Sequence, residues 1–305
     1  MEAPQVRPEL VKKLVDVYGD VGRDWIASFP ALLERFRQEW GIRELGETFS
    51  YVGYSWVAPC VLGDGTWAVL KLAPPDKEFA NEIEALKLYG GRGAVRLLAS
   101  DSTATALLLE RIEPGTMLFD MEDDVAATEI AATTFKKLFR PLPEEHSFPT
   151  IERWGQAFER VRTKYGGGSG VFPADLFEPA AEIYATLCQD QETPVLLHGD
   201  LHHYNILRSG DDWVAIDPKG LAGERAYEVG PLLWNKTAGV PDLRGQSRRR
   251  ISQVSEILGI DRQRLLQWGF AQSVLSILWT FEDHGTVKEE DLLLPRALLA
   301  EVRGE

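Results

Sequence analysis

The stretch HGDLHHYNIL, residues 198–207, follows the apolar run PVLL and puts three histidines, an aspartate and an asparagine into one loop. His198 and His202 stand four apart, the spacing that would set two metal ligands on one face of a helix. The context argues against that arrangement. PVLL reads as a short buried strand, Gly199 breaks regularity directly after His198, and no glutamate lies between the histidines as a helical zinc-protease motif requires. The other reading takes Asp200 as a carboxylate that orients a hydroxyl and accepts its proton. Asn205, five positions on, then offers a side-chain oxygen to a divalent cation.

Working outward, DDWVAIDPKG (211–220) supplies a further acid. The alternating run Trp213 to Ile216 reads as a strand ending in Asp217, and NILRSGDDWVAID folds as a hairpin with its turn at Ser209-Gly210-Asp211. Such a hairpin returns Asp217 to the side of Asn205. Asp200, Asn205 and Asp217 then converge on one edge as a base and two hard oxygen ligands suited to Mg²⁺.

Upstream, TFSYVGYSWVAPCVLGDGTWAVLKL (48–72) is rich in aromatic and β-branched residues, with a tight turn at Asp64-Gly65, and predicts two or three antiparallel strands. Two prolines stop the last of them. Phe79, Ile83 and Leu86 then line one face of a helix that ends at Gly90-Gly91. AVRLLASD and TALLLERI predict a second strand pair, and Pro114-Gly115 breaks the chain between two lobes. Before residue 45, Leu10, Leu14, Val17, Ile26, Phe29, Leu32, Leu33 and Phe36 recur at intervals of three and four, which predicts helices. After Pro114-Gly115 the pattern is mainly helical, apart from short strands around residues 195–217. KYGGGSGVF (164–172) reads as a mobile loop, since it does not join a strand to a helix as a phosphate loop would. RRR at 248–250 reads as a solvated helix face.

His-x-Asp-x₄-Asn followed by a strand ending in Asp resembles the catalytic core of the protein-kinase-like superfamily. The resemblance implies a bilobal α+β fold: residues 1–113 form N-terminal helices and a small antiparallel-sheet lobe that binds nucleotide, and residues 114–305 a larger, mainly helical lobe with the catalytic loop and substrate cleft. It implies that Lys71, in WAVLKL, holds nucleotide phosphates and is oriented by a glutamate of the next helix, Glu82 in preference to Glu78. It further implies that Gly53, with the amides of Tyr54 and Ser55, caps the phosphates, and that Glu110, Arg111 and Ile112 meet adenine through backbone groups. Asp200 becomes the catalytic base, with Lys71 and His198 as the other catalytic residues. His198 is read chiefly as a scaffold under the loop, with direct catalysis as the alternative.

Departures narrow the resemblance. Asp217 is followed by Pro-Lys rather than Phe-Gly, no Ala-Pro-Glu closes an activation segment, and Gly199 stands where protein kinases carry arginine. HGDLHHYNIL with IDPKGLAGERAYEVGPLLWN is similar to the aminoglycoside phosphotransferases, closest to the branch of streptomycin 6-phosphotransferases and hydroxyurea-resistance kinases. That implies phosphate transfer from ATP, with GTP the alternative, through Mg²⁺ to a hydroxyl of a cationic antibiotic, streptomycin first. Glu224, Glu228, Glu282 and Asp283 are the candidate substrate carboxylates, with a structural ion pair the alternative for Glu228 and a solvated helix end the alternative for Glu282 and Asp283. A kinase of the same fold acting on an amino alcohol, amino acid or sugar, and a nucleotide-binding pseudokinase, are the competing readings. His202 and His203 receive no assigned chemistry, and Trp213, Trp234 and Trp279 read as core or groove walls.

Composition agrees with this class. The 33 basic against 47 acidic residues give a net charge of −14, which disfavours a nucleic-acid surface and draws in cations. Two distant cysteines, Cys60 and Cys188, suggest neither a disulfide nor a thiolate site. No stretch approaches the roughly 18 apolar residues of a membrane span, and MEAPQVRPELVKKLVD lacks the apolar region of a signal peptide. A cytoplasmic enzyme with no membrane, nucleic-acid or protein partner is therefore expected.

Overall fold

The computed structural model describes residues 6–49 and 53–305, without the side chains of Asp283 and His284. Its contacts divide the chain into two units, Met1–Gly115 and Thr116–Glu305. In the first unit, helices α1 (Pro8–Tyr18) and α2 (Asp20–Glu39) lead into strands β1 (Ile42–Leu45), β2 (Trp56–Leu62) and β3 (Trp67–Leu72). Helix α3 (Lys77–Tyr89) and strands β4 (Leu97–Asp101) and β5 (Ala106–Glu110) complete it. The strands form one antiparallel sheet of order β1-β2-β3-β5-β4. β1 lies in a segment that sequence periodicity read as helical.

Strand alternation decides what each face of this sheet carries. Trp56, Ala58 and Cys60 of β2, Ala68, Leu70 and Leu72 of β3, and Ala106 and Leu108 of β5 share one core with Leu10 and Leu14 of α1 and Trp25, Phe29, Leu33 and Phe36 of α2. The two N-terminal helices thus cover one side of the sheet. Lys71 sits between Leu70 and Leu72, so the pleat turns it to the opposite side, between Val57 and Leu107 of the flanking strands.

β6 (Pro114–Met117) carries the chain into the second unit. There α4 (Asp124–Leu138), β7 (Arg140–Pro141), α5 (Ile151–Lys164) and α6 (Ala174–Gln189) precede β8 (Val195–Leu197). β9 (Ile206–Ser209), β10 (Asp212–Ala215) and β11 (Leu221–Gly223) follow, then α7 (Val229–Trp234), α8 (Leu243–Leu258), α9 (Arg262–His284) and α10 (Leu293–Arg303). The short strands form two small sheets, β10-β9-β6 and β11-β8-β7, set among the helices. One expectation for this unit fails at Arg250. Its side chain is fully buried, paired with Asp124 at 2.5 Å and donating to the carbonyls of Leu232 at 2.7 Å and Asn235 at 2.8 Å. A guanidinium can be buried when its fork meets this many acceptors, and here it ties α8 to α4. Arg248 and Arg249 do lie at the surface. Among the described residues no helix is long and apolar enough to cross a membrane.

Candidate active site

β8 and β11 pair antiparallel with Leu197 opposite Leu221, so the loop leaving β8 and the segment entering β11 start side by side. His198 joins them. Its carbonyl accepts the amides of Lys219 at 2.8 Å and Gly220 at 3.3 Å, its Nδ1 accepts the amide of Asp200 at 3.2 Å, and its Nε2 lies 2.8 Å from the Ile216 carbonyl. An amide can only donate, so Nδ1 is bare and Nε2 carries the proton. Burial lowers the pKa of this ring to about 4, which keeps it neutral. With both nitrogens bound to backbone and the side chain fully buried, His198 neither ligates a metal nor reaches a substrate; it holds the loop.

Glu228 holds the same loop from below. It is 1% exposed, and its carboxylate accepts the amides of His198 at 2.8 Å and Gly199 at 3.0 Å. Burial pushes its pKa up to about 7, against the pull of those amides. Gly199 between them has φ +82°, and a Cβ there would meet Leu221, Lys219 and the Trp154 ring, each at 3.3 Å.

Past Gly199, Asp200 is partly exposed at 32% of its side chain. Asn205 Nδ2 donates to the Asp200 carbonyl at 2.9 Å, and the Asn205 amide donates to the His202 carbonyl at 2.9 Å. With its nitrogen fixed on that carbonyl, the asparagine turns Oδ1 away as a potential ligand. The hairpin then does what its spacing predicts: Ile206 pairs with Ala215, a two-residue turn at Gly210-Asp211 closes it, and the Ile216 amide donates to the Asn205 carbonyl at 2.9 Å. Asp217 therefore emerges next to Asn205, exposed and with φ +63°, a conformation that aspartate tolerates at some strain. Among the described residues no group of three or more His, Cys, Asp or Glu is arranged to hold a metal. An asparagine and a carboxylate oxygen do suit Mg²⁺, which completes its shell from water and phosphate.

In the first unit, Lys71 is 8% and Glu82 6% exposed, and the lysine Nζ lies 2.7 Å from both carboxylate oxygens. Glu78, one turn earlier, is exposed at the start of α3, where its amide donates to the N-capping Asp76. Gly53, Tyr54 and Ser55 lie just before β2, and a Cβ added to Gly53 would meet nothing within 4 Å. Residues 50–52 of the same loop lie outside the described residues. At the end of β5 the amides of Glu110 and Arg111 donate to the carbonyls of Arg96 at 2.9 Å and Trp67 at 3.4 Å. Those two amides are unavailable to a base, a narrowing of the expectation for residues 110–112.

The expected substrate carboxylates divide. Glu224 is fully buried, bound by Arg264 Nε at 2.6 Å and by the Trp268 indole N–H, so it cannot meet a substrate. Glu228 is likewise taken by the loop amides. Both expectations are corrected for one physical reason: each carboxylate saturates donors inside the fold. Glu282 does lie at the surface, forked by Arg160 at 2.9 and 2.8 Å. The Asp283 side chain lies outside the described residues. Trp154 escaped sequence reading; it packs edge-on against Trp279, 5.2 Å between ring centroids, and borders Gly199.

Known proteins resemble this chain over most of its length. A family model described as aminoglycoside/hydroxyurea antibiotic resistance kinase matches residues 39–285. A streptomycin 6-kinase of Streptomyces glaucescens is 31% identical over 284 residues, covering 92% of each chain. A hydroxyurea phosphotransferase of Kitasatospora aureofaciens is 32% identical, covering 92% of this chain and 81% of that one. In three dimensions, an aminoglycoside phosphotransferase from Streptomyces rimosus, solved with ADP and streptomycin, aligns with TM-score 0.56 at 18% identity, covering 80% of this chain and 97% of that one. Since the family model spans most of the sequence, including Lys71, the loop of residues 198–205 and Asp217, the chain belongs to the aminoglycoside/hydroxyurea antibiotic resistance kinases and is a phosphotransferase of protein-kinase-like α+β fold.

Proposed function

We propose that the protein transfers the terminal phosphoryl group of ATP to a hydroxyl of an aminocyclitol antibiotic, streptomycin before others. The observation that carries this reading is the convergence of Asp200, Asn205 and Asp217 at one hairpin mouth, joined by the Asn205–Asp200 and Ile216–Asn205 hydrogen bonds. Asp200 orients the acceptor hydroxyl and takes its proton. Asn205 Oδ1 and Asp217 would hold Mg²⁺, which would supply charge neutralisation at the phosphates. Lys71, oriented by Glu82, binds the non-transferred phosphates, and the Ile112 backbone serves the base. His198 and Glu228 keep the loop in shape without touching substrate.

Streptomycin is favoured by the similarity to the streptomycin 6-kinase and by the chain's negative charge, which suits a cation. A second reading, a small neutral acceptor, is favoured by the equally similar hydroxyurea phosphotransferase. ADP release by the purified protein with Mg²⁺-ATP should be compared for streptomycin, hygromycin B, hydroxyurea and choline. The highest kcat/KM is expected for streptomycin, with activity lost in EDTA. Faster turnover of hydroxyurea or choline, or activity that survives EDTA, would overturn the reading.

A further inference from the structure

His202 has no part in the reading so far, yet its ring lies against the proposed proton acceptor. Its side chain is 17% exposed, and Nδ1 accepts the Tyr204 amide at 3.2 Å. The proton must then sit on Nε2. Near that nitrogen lie Asn205 Nδ2 at 3.4 Å and Asp200 Oδ1 at 3.6 Å. The first is itself a donor, its identity fixed by its bond to the Asp200 carbonyl, so it cannot accept the Nε2 proton. The second is a carboxylate oxygen, slightly beyond hydrogen-bond length, and such contacts tighten when substrate is bound.

We propose that His202 is a positioning residue that acts through Asp200: its Nε2–H, fixed by the Tyr204 amide on the opposite nitrogen, holds one carboxylate oxygen so that the other faces the acceptor hydroxyl. The inference rests on the reading of Asp200 as proton acceptor. Because Nδ1 accepts an amide it carries no proton, and His202 works as a neutral donor. A neutral donor steadies the carboxylate without forming the tight ion pair that would weaken it as a base.

His202→Leu and His202→Gln, each alone and combined with Asp200→Asn, test this with ATP, Mg²⁺ and streptomycin, or hydroxyurea if that acceptor proves faster. His202→Leu should lower kcat about tenfold or more while the KM for ATP stays within about twofold. His202→Gln, which can present an N–H from a similar place, should recover most of the loss. In the Asp200→Asn background His202→Leu should have less than about a twofold further effect. Wild-type kcat in His202→Leu, or an equal loss in both backgrounds, would overturn the inference. Should the leucine variant fail to fold, His202→Gln decides: near wild-type kcat supports it, and a loss as large as that of Asp200→Asn overturns it. A fully active Asp200→Asn overturns the proton-acceptor reading itself, whereas inactive Asp200→Asn beside unaffected His202→Leu overturns the positioning role alone.

Discussion

Glu228 shows how a single buried carboxylate can set both the shape of a loop and the pH response of a fold. Its carboxyl shifts from 4.5 to about 7 on folding because water is excluded. Between those values the folded chain keeps a proton that the unfolded chain has released, so the group favours folding below about pH 4.5 and that contribution fades as pH rises through about 7. Glu228→Gln removes the titration, and its amide oxygen can still accept one of the two loop N–H groups. The stability difference, wild type minus variant, should therefore be largest near pH 5 and fall by on the order of 2 kcal/mol toward pH 8 in guanidinium titrations. A difference that stays flat from about pH 5 to 8 would mean that the loop amides hold the carboxylate ionised over that whole range. Sequence reading placed Glu228 and Glu224 in the substrate cleft because acids beyond Asp217 look available to a cation. Their donors, the amides at 198 and 199 and the side chains of Arg264 and Trp268, lie 29 to 44 residues away and leave no local signal. Asp200, Asn205 and Asp217 were legible because one loop and one hairpin, both short, carry them together.

The helices of the first unit illustrate what periodicity can and cannot supply. The spacing of Leu10, Leu14, Phe29, Leu33 and Phe36 marks apolar stripes, and these residues do pack on the sheet. It does not mark β1, whose four residues are too few to establish an alternation against the helical pattern before them. Lys71 and Glu82 were readable from strand and helix position, yet the choice between Glu82 and Glu78 turned on burial, which only the folded α3 displays. Phe29 tests the role of α2. It is 2% exposed and packs against Trp25 at 5.4 Å and Trp56 at 5.2 Å between ring centroids, so it joins helix to sheet. Phe29→Ala should destabilise the protein by about 3–5 kcal/mol in denaturant titrations. A loss below about 1 kcal/mol would mean that the helix is not an integral layer of this core.

Over the whole molecule, a net charge of −14 creates a field that a polycationic acceptor feels before contact. With Glu224 and Glu228 buried and Glu282 paired to Arg160, attraction for a cationic acceptor would rest on this field. The KM for streptomycin should climb as salt rises from 0.1 to 1 M and the Debye length falls from about 10 to about 3 Å. The KM for ATP, an anion, should not follow it, and a salt-independent streptomycin KM would count against steering. One further property follows from Gly199. Protein kinases can be switched by a phosphorylated segment that docks on arginine. Here the corresponding position has φ +82° and is walled by Trp154, Lys219 and Leu221, so an arginine there would be strained and would crowd its neighbours. The loop instead takes its shape from Glu228 and His198 inside the fold, a geometry that comes with folding itself.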